Sequence, residues 1–239
     1  MITTETRSYE ADGVVCEAYI ARPADLSTPH PCVLIAHMWG GPNAFIHDKA
    51  RLLAQQGYVA FALDVYGAGK RGTTPEQSAA LMRPFIEDRA LLRRRLFGAL
   101  DAARALDGVD SARIGAIGYC FGGLCVLELA RSGADVRAVV SLHGMLHTTL
   151  PAAAGQVKAS VLVLHGHEDP LAPPADLRAL EAELTAAQVD WQVICYGHAA
   201  HAFTNPALNN RAGGMYHVPS ADARSWRATL DHLHERLGT

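Results

Sequence analysis

Net positive charge is the first thing this 239-residue sequence lacks: 21 Lys+Arg stand against 24 Asp+Glu, a formal charge of −3 with the histidines neutral. Without a basic excess there is little to neutralise a phosphate backbone, so nucleic acid is not an expected partner. The sole basic run, Arg93-Arg94-Arg95, reads as a solvated helix face. No apolar stretch approaches the ~20 residues that a membrane-spanning helix needs, so no membrane partner is expected either. The polar start, Met1-Ile2-Thr3-Thr4-Glu5-Thr6-Arg7, has no apolar export segment, and the cytoplasm is the expected location. The five cysteines (Cys16, Cys32, Cys120, Cys125 and Cys195) are odd in number, widely spaced and free of any C-x-x-C. This argues against a disulfide framework or a zinc knuckle and fits a reducing compartment, with most of the thiols acting as small core side chains. No internal repeat or low-complexity linker divides the chain. One domain over residues 1–239 is therefore expected.

What is present is an alternation of short apolar runs with longer amphipathic ones. Thr3–Glu10 and Val14–Ala21 flank Asp12-Gly13, a hairpin signature. Buried strands are predicted at Pro31–Ala36, Tyr58–Leu63, Arg113–Gly118, Val136–Leu142, Ser160–His165 and Trp191–Tyr196. Helices are predicted over Ile46–Gln56 (closed by Gly57), over Pro75–Leu106 with a break at Pro84, and over Gly122–Arg131, Pro174–Ala187 and Ala221–Leu237. Strands joined by helical crossovers imply an α/β fold, with a mostly parallel central sheet covered by helices on both faces. Ligands then bind beyond the carboxyl ends of the strands, so chemistry is sought there.

Gly118-Tyr119-Cys120-Phe121-Gly122-Gly123 lies where a strand ends and a helix begins. The pattern is G-x-nucleophile-x-G with cysteine as the nucleophile. Small flanking residues let the backbone turn sharply, and the helix N-terminus favours thiolate. Cys120 could equally be a buried thiol beside a structural turn; Cys125 reads as core. Strand Ser160–His165 runs into Gly166-His167-Glu168-Asp169, and strand Trp191–Tyr196 into Gly197-His198-Ala199-Ala200-His201. The chain order nucleophile, acid, histidine is that of an α/β-hydrolase triad. In that reading Cys120 attacks, His201 moves the proton and Asp169 orients the imidazole. Glu168 and His198 remain alternatives to Asp169 and His201. An oxyanion hole would take the amide of Phe121 and one from His37-Met38-Trp39-Gly40-Gly41. A rival reading makes His165-x-His167-x-Asp169, with His198 or His201, a zinc site.

These residues together resemble the dienelactone hydrolase family of α/β-hydrolases. The likeness runs through His37–Phe45, Gly57–Gly67, Gly118–Gly123, Gly166–Asp169 and His201-Ala202-Phe203. It implies the triad Cys120–Asp169–His201, an oxyanion hole from the amides of Phe121 and Trp39, and neither cofactor nor metal. Two departures matter. A family glutamate that contacts the resting thiol is Met38 here, and an arginine shortly after the catalytic histidine falls within Thr204-Asn205-Pro206. Arg83 is a nearby cation without a clear role. A neutral, apolar or aryl ester or lactone is therefore the expected substrate, with Met38, Trp39, Phe203, Met145 and the Phe121 ring as candidate pocket side chains. The branch resembled adds phosphotriester hydrolysis as a secondary activity. Carboxymethylenebutenolidase proper and a redox-sensing thiol protein are the alternatives. Symmetric pairing is common, which makes a homodimer an expectation.

Overall fold

The computed structural model describes residues 1–239. In chain order the elements are β1 (Ile2–Ala11), β2 (Val14–Pro23), β3 (His30–Ala36), α1 (Ala44–Gln55), β4 (Val59–Ala62), α2 (Pro75–Glu87), α3 (Arg89–Arg104) and β5 (Val109–Tyr119). They continue with α4 (Phe121–Arg131), β6 (Ala138–Leu142), β7 (Ser160–Gly166), α5 (Pro174–Ala186), β8 (Trp191–Tyr196), β9 (Asn209–Asn210), β10 (Met215–Tyr216) and α6 (Pro219–Leu237).

Asp12 and Gly13 both take positive φ, 50° and 71°, the backbone that a two-residue hairpin demands. β1 and β2 therefore pair antiparallel from Ile2↔Pro23 to Ala11↔Val14. β2 pairs antiparallel with β4, and the strands from β4 to β8 run parallel, in the order β1-β2-β4-β3-β5-β6-β7-β8. The interior strands are buried along nearly their whole length, and mostly apolar, because helices cover both faces. On one face α1 meets α6: Lys49 lies over the Trp226 ring and 3.7 Å from Asp222. On the other face α3, α4 and α5 are tied together by Glu128 and Glu183. The chain leaves β3 towards one edge through β4, and later returns to β3's other side with β5. The crevice at that switch point opens at the carboxyl ends of β3 and β5.

Two expectations are corrected here. Pro84 does not break the helical stretch. It lies inside α2, where its missing amide costs one bond on an exposed turn, and the bond from Asp88 N–H to the Pro84 carbonyl still forms. The chain breaks at Asp88 instead, whose carboxylate accepts from the Leu91 amide at 2.9 Å and caps α3. Nor is Arg93-Arg94-Arg95 a uniformly solvated face. Successive helical residues point about 100° apart, so only Arg94 faces water, 3.0 Å from Asp12. Arg93 reaches the buried Glu128, and Arg95 is buried with its guanidinium over the Phe85 ring.

Candidate active site

Cys120 sits between β5 and α4 with φ 58° and ψ −117°, a conformation that side chains rarely adopt. The glycines around it are required by close approach. A Cβ on Gly118 would stand 2.0 Å from the Gly122 carbonyl oxygen, and one on Gly122 would stand 2.1 Å from that of Ala36. The strain is held by hydrogen bonds: the Cys120 amide donates to the Leu142 carbonyl at 3.1 Å, and the Gly123 amide to the Cys120 carbonyl at 3.0 Å. The result lifts the thiol above the carboxyl edge of the sheet at the head of a helix that no side chain caps.

The loop after β3 is aimed by His37. Its Nδ1–H donates to the Met38 carbonyl at 2.7 Å, and its Nε2 accepts from the Val65 amide at 3.1 Å. A carbonyl only accepts and an amide N–H only donates, so this imidazole is neutral with its proton on Nδ1. Burial supports that form, lowering the His37 pKa to about 4. In a trans peptide the C=O and N–H point opposite ways. Holding the Met38 carbonyl therefore turns the Trp39 amide the other way, and the Tyr66 hydroxyl pins the Trp39 carbonyl at 2.7 Å. The amides of Trp39 and Phe121 both favour the charged form of the Cys120 sulfur and lower its pKa. They occupy the two positions expected for an oxyanion hole.

The acid and the histidine meet as the chain order implies. His201 Nδ1 donates to Asp169 Oδ2 at 2.9 Å, while Asp169 Oδ1 accepts from the Leu171 amide at 2.8 Å. Both residues are buried. The alternatives lie elsewhere: His198 is exposed and pairs with Glu168 across 3.4 Å, outside the cavity. His165 is buried and His167 exposed, and no group of three His, Cys, Asp or Glu side chains converges in a metal-binding arrangement. His201 Nε2 has no hydrogen-bond partner, and it lines the same cavity as Cys120. Burial opposes ionisation of Cys120, but the charge of His201, aided by the two amides, overrides it and brings the thiol below its ordinary value. Burial likewise disfavours charge on His201. The Cys120 thiolate and Asp169 reverse this and raise the imidazole to about 10. A thiolate–imidazolium pair is the resting state these directions favour.

Beneath the pair lies a residue that the sequence reading passed over. His143 follows β6 with φ 38°, its ring centroid 5.4 Å from that of His201. Its Nε2 bonds to Thr204 Oγ1 at 2.8 Å, tying down the loop that carries His201. A histidine at the end of a central strand, in Leu142-His143-Gly144, was the available signal.

An apolar cavity of about 260 Å³ opens over Cys120 and His201. Met38, Trp39 and Met145 line it, as expected, and so do Met82, Leu171, Leu208 and Met215, which were not foreseen. Phe203 does not. It is fully buried against Tyr196 and His143, because the positive φ of Ala202 turns the chain inward after His201. The Phe121 ring is also core, 5.8 Å from Tyr66, and does not line the cavity. Arg83 is exposed on α2 and outside the cavity, and no lysine or arginine lines it. The Asn205 amide lies 3.9 Å from the Met38 sulfur, so the two departures from the family pattern adjoin.

A mostly parallel sheet flanked by helices, with a strained, glycine-flanked strand-to-helix turn after a central strand, is the α/β-hydrolase fold. Comparison with known proteins narrows this. Residues 16–237 match the dienelactone hydrolase family, and the chain belongs to that family of hydrolases acting on ester bonds. A Yersinia pestis relative, provisionally named a carboxymethylenebutenolidase, is 30% identical over 225 residues, covering 90% of this chain and 81% of its own. A solved dienelactone hydrolase-like promiscuous phosphotriesterase from metagenomic libraries superposes with a TM-score of 0.92 at 35% identity, covering 99% of both chains. A Klebsiella pneumoniae structure shares the fold, with a TM-score of 0.83 at 24% identity over 98% of this chain and 99% of its own.

Proposed function

We propose that the protein is a cysteine hydrolase of neutral carboxylic esters, aryl esters in particular, and of lactones. The observation that carries the reading is a thiol with lowered pKa beside an imidazole whose Nε2 is open, in a cavity without lysine or arginine. The Cys120 thiolate attacks the ester carbonyl carbon, forming a C–S bond and an oxyanion that the Phe121 and Trp39 amides hold. The C–O bond breaks, and the leaving alkoxide or phenoxide takes the proton from His201. Water then gives a proton to His201 and attacks the thioester. The C–S bond breaks, the acid leaves and the thiolate returns. Asp169 holds the imidazole in the tautomer that both steps need.

The carboxylate of a dienelactone would meet no lysine or arginine in this cavity, and the one imidazolium there is paired with the thiolate, which favours neutral esters over the butenolide named for several relatives. A secondary activity on phosphotriesters is supported by the same neutrality and by the likeness to the promiscuous phosphotriesterase. There the thiolate would attack phosphorus and expel an aryloxide, and water would cleave the P–S bond.

The test is the initial rate of p-nitrophenyl butyrate hydrolysis by wild type, EDTA-treated wild type and folded Cys120→Ala. Activity should survive EDTA and fall by about 10⁴-fold or more in the variant. An acid-quenched reaction should carry an acyl adduct on Cys120 by intact mass and peptide mapping. Activity retained by the variant, or an adduct on another residue, would overturn the mechanism.

A further inference from the structure

The chain has five methionines. Met1 is fully exposed at the chain start, and the other four, Met38, Met82, Met145 and Met215, all line the cavity over Cys120. They converge from four separate segments: the loop after β3, helix α2, the loop after β6 and strand β10. Met38 is the one methionine within the large core, at the margin where it meets the cavity; everywhere else that core is filled mainly by leucine, valine, isoleucine, alanine and aromatic side chains. Met82, Met145 and Met215 are only half-buried and line the cavity, Met82 and Met145 with their inner sides against the core.

A methionine side chain is unbranched, turns about three bonds and ends in a polarizable sulfur. It fills irregular space and packs favourably against aromatic edges. Isoleucine, branched at Cβ, would present a nearly fixed shape at the same place, and leucine a less adjustable one than methionine. One of the four sulfurs is held, since Asn205 Nδ2 lies 3.9 Å from Met38 Sδ. The other three make no hydrogen bond, so packing alone sets their rotamers. The cavity thus combines a fixed chemical edge, made of Cys120, His201 and the two amides, with a wall that changes shape.

We propose that Met82, Met145 and Met215, with Met38 as their fixed neighbour, are the specificity-determining residues of this site. They form a deformable wall that admits uncharged apolar and aromatic groups of differing shape and turns away carboxylates, for which it offers no charge or donor. This rests on the cavity being the substrate site, as proposed above. Breadth of substrate is then built into the side chains and needs no movement of the backbone.

Methionine labelled with ¹³C at the methyl group gives five signals, with Met1 as an internal reference. The protein used is Cys120→Ala, which separates binding from turnover. Phenyl acetate and ethyl hexanoate, planar and flexible in turn, should each shift the four cavity methyls and leave Met1 in place. Benzoate and hexanoate at the same concentrations should shift none. In parallel, Met82→Ile/Met145→Ile/Met215→Ile tests the wall through activity. Its kcat/KM values for p-nitrophenyl acetate, butyrate, hexanoate and benzoate should spread at least about tenfold more widely than those of wild type. The Leu triple variant, similar in volume and more flexible, should lie between the two. Shifts confined to one or two methyls, equal shifts with the carboxylates, or an Ile variant with the wild-type profile would overturn the proposal. The spectra decide the question even if the Ile variant fails to fold. Methyl shifts without any esterase activity in wild type would instead mark the hydrolase reading as the one that failed.

Discussion

The two ends of helix α4 both hold buried ionisable groups, and they treat them in opposite ways. At the C-terminal end the fully buried Glu128 accepts from Arg93 at 3.0 Å, Arg131 at 3.1 Å and Thr148 at 2.5 Å. Arg131 continues to Glu183 at 2.8 Å and to the Leu146 carbonyl at 3.0 Å. Arg89 Nε also lies 3.9 Å from Glu128, and it is the one buried side-chain atom of this knot without a hydrogen-bond partner. At the N-terminal end Cys120 is strained, α4 has no side-chain cap, and His201 Nε2 is left open. A satisfied network fixes where α3, α4 and α5 sit. An open valence beside a thiol is what proton transfer requires. One helix thus gains position from one end and reactivity from the other.

The contrast can be broken most severely through Asp169. Asp169→Asn keeps the shape of the pair but removes the charge that holds His201 in its tautomer. The kcat/KM for p-nitrophenyl butyrate should fall by about 10³–10⁴-fold while the thermal midpoint changes little. Glu128→Ala should do the reverse. Stranding several buried cations should cost about 3–5 kcal/mol in urea unfolding, with activity per folded molecule close to wild type. If Glu128→Ala lost activity as Asp169→Asn does, the two ends would not be separable.

Acid should sharpen the comparison further. Burial holds His37 near 4 and His143 well below the ordinary histidine value, so their folded pKa lies under the unfolded 6.5. Their contribution is complete above 6.5 and is lost as pH falls towards the folded values. Cys120, also depressed, adds in the same direction, its contribution fading as pH falls through its folded value. His201, raised to about 10, runs the other way: its contribution is full below 6.5 and lost as pH rises through 10. Two neutral imidazoles outweigh one charged one, so unfolding free energy should drop by a few kcal/mol between pH 7 and pH 5. A flat profile would count against neutral His37 and His143. Iodoacetamide should still label Cys120 rapidly at pH 7, below the range of an ordinary thiol near 8.5. The smallest effect belongs to Arg94→Ala, whose exposed pair with Asp12 should change stability by no more than about 1 kcal/mol.

Much of the fold was legible because period and punctuation agree. Asp12-Gly13, the Gly-flanked Cys120 and the short, mostly apolar strand runs each leave one local solution. The misreadings have physical causes. Pro84 looks like a breaker, yet an exposed helix absorbs the missing bond, and an Asp four residues on makes the better stop. Arg95 looks solvated until the helix turn points it at Phe85. Phe203, so close in sequence to the cavity-lining His201, looks like pocket until Ala202 reverses the chain between them. Met82 and Met215 carried no local signal, because a methionine in a helix and one in a two-residue strand have nothing in common until the fold brings them together.

The sequence by itself determined the order of strands and helices, the glycine turn around Cys120, and the ordered set of thiol, carboxylate and imidazole. These depend on spacing and on backbone demands that neighbouring residues meet. Tertiary structure alone decided that His201 rather than His198 meets Asp169, that His37 and His143 stay neutral behind the site, and that four methionines from distant segments share one wall. Those outcomes depend on burial and on which surfaces meet across the sheet, and neither is a property of any stretch of chain taken alone.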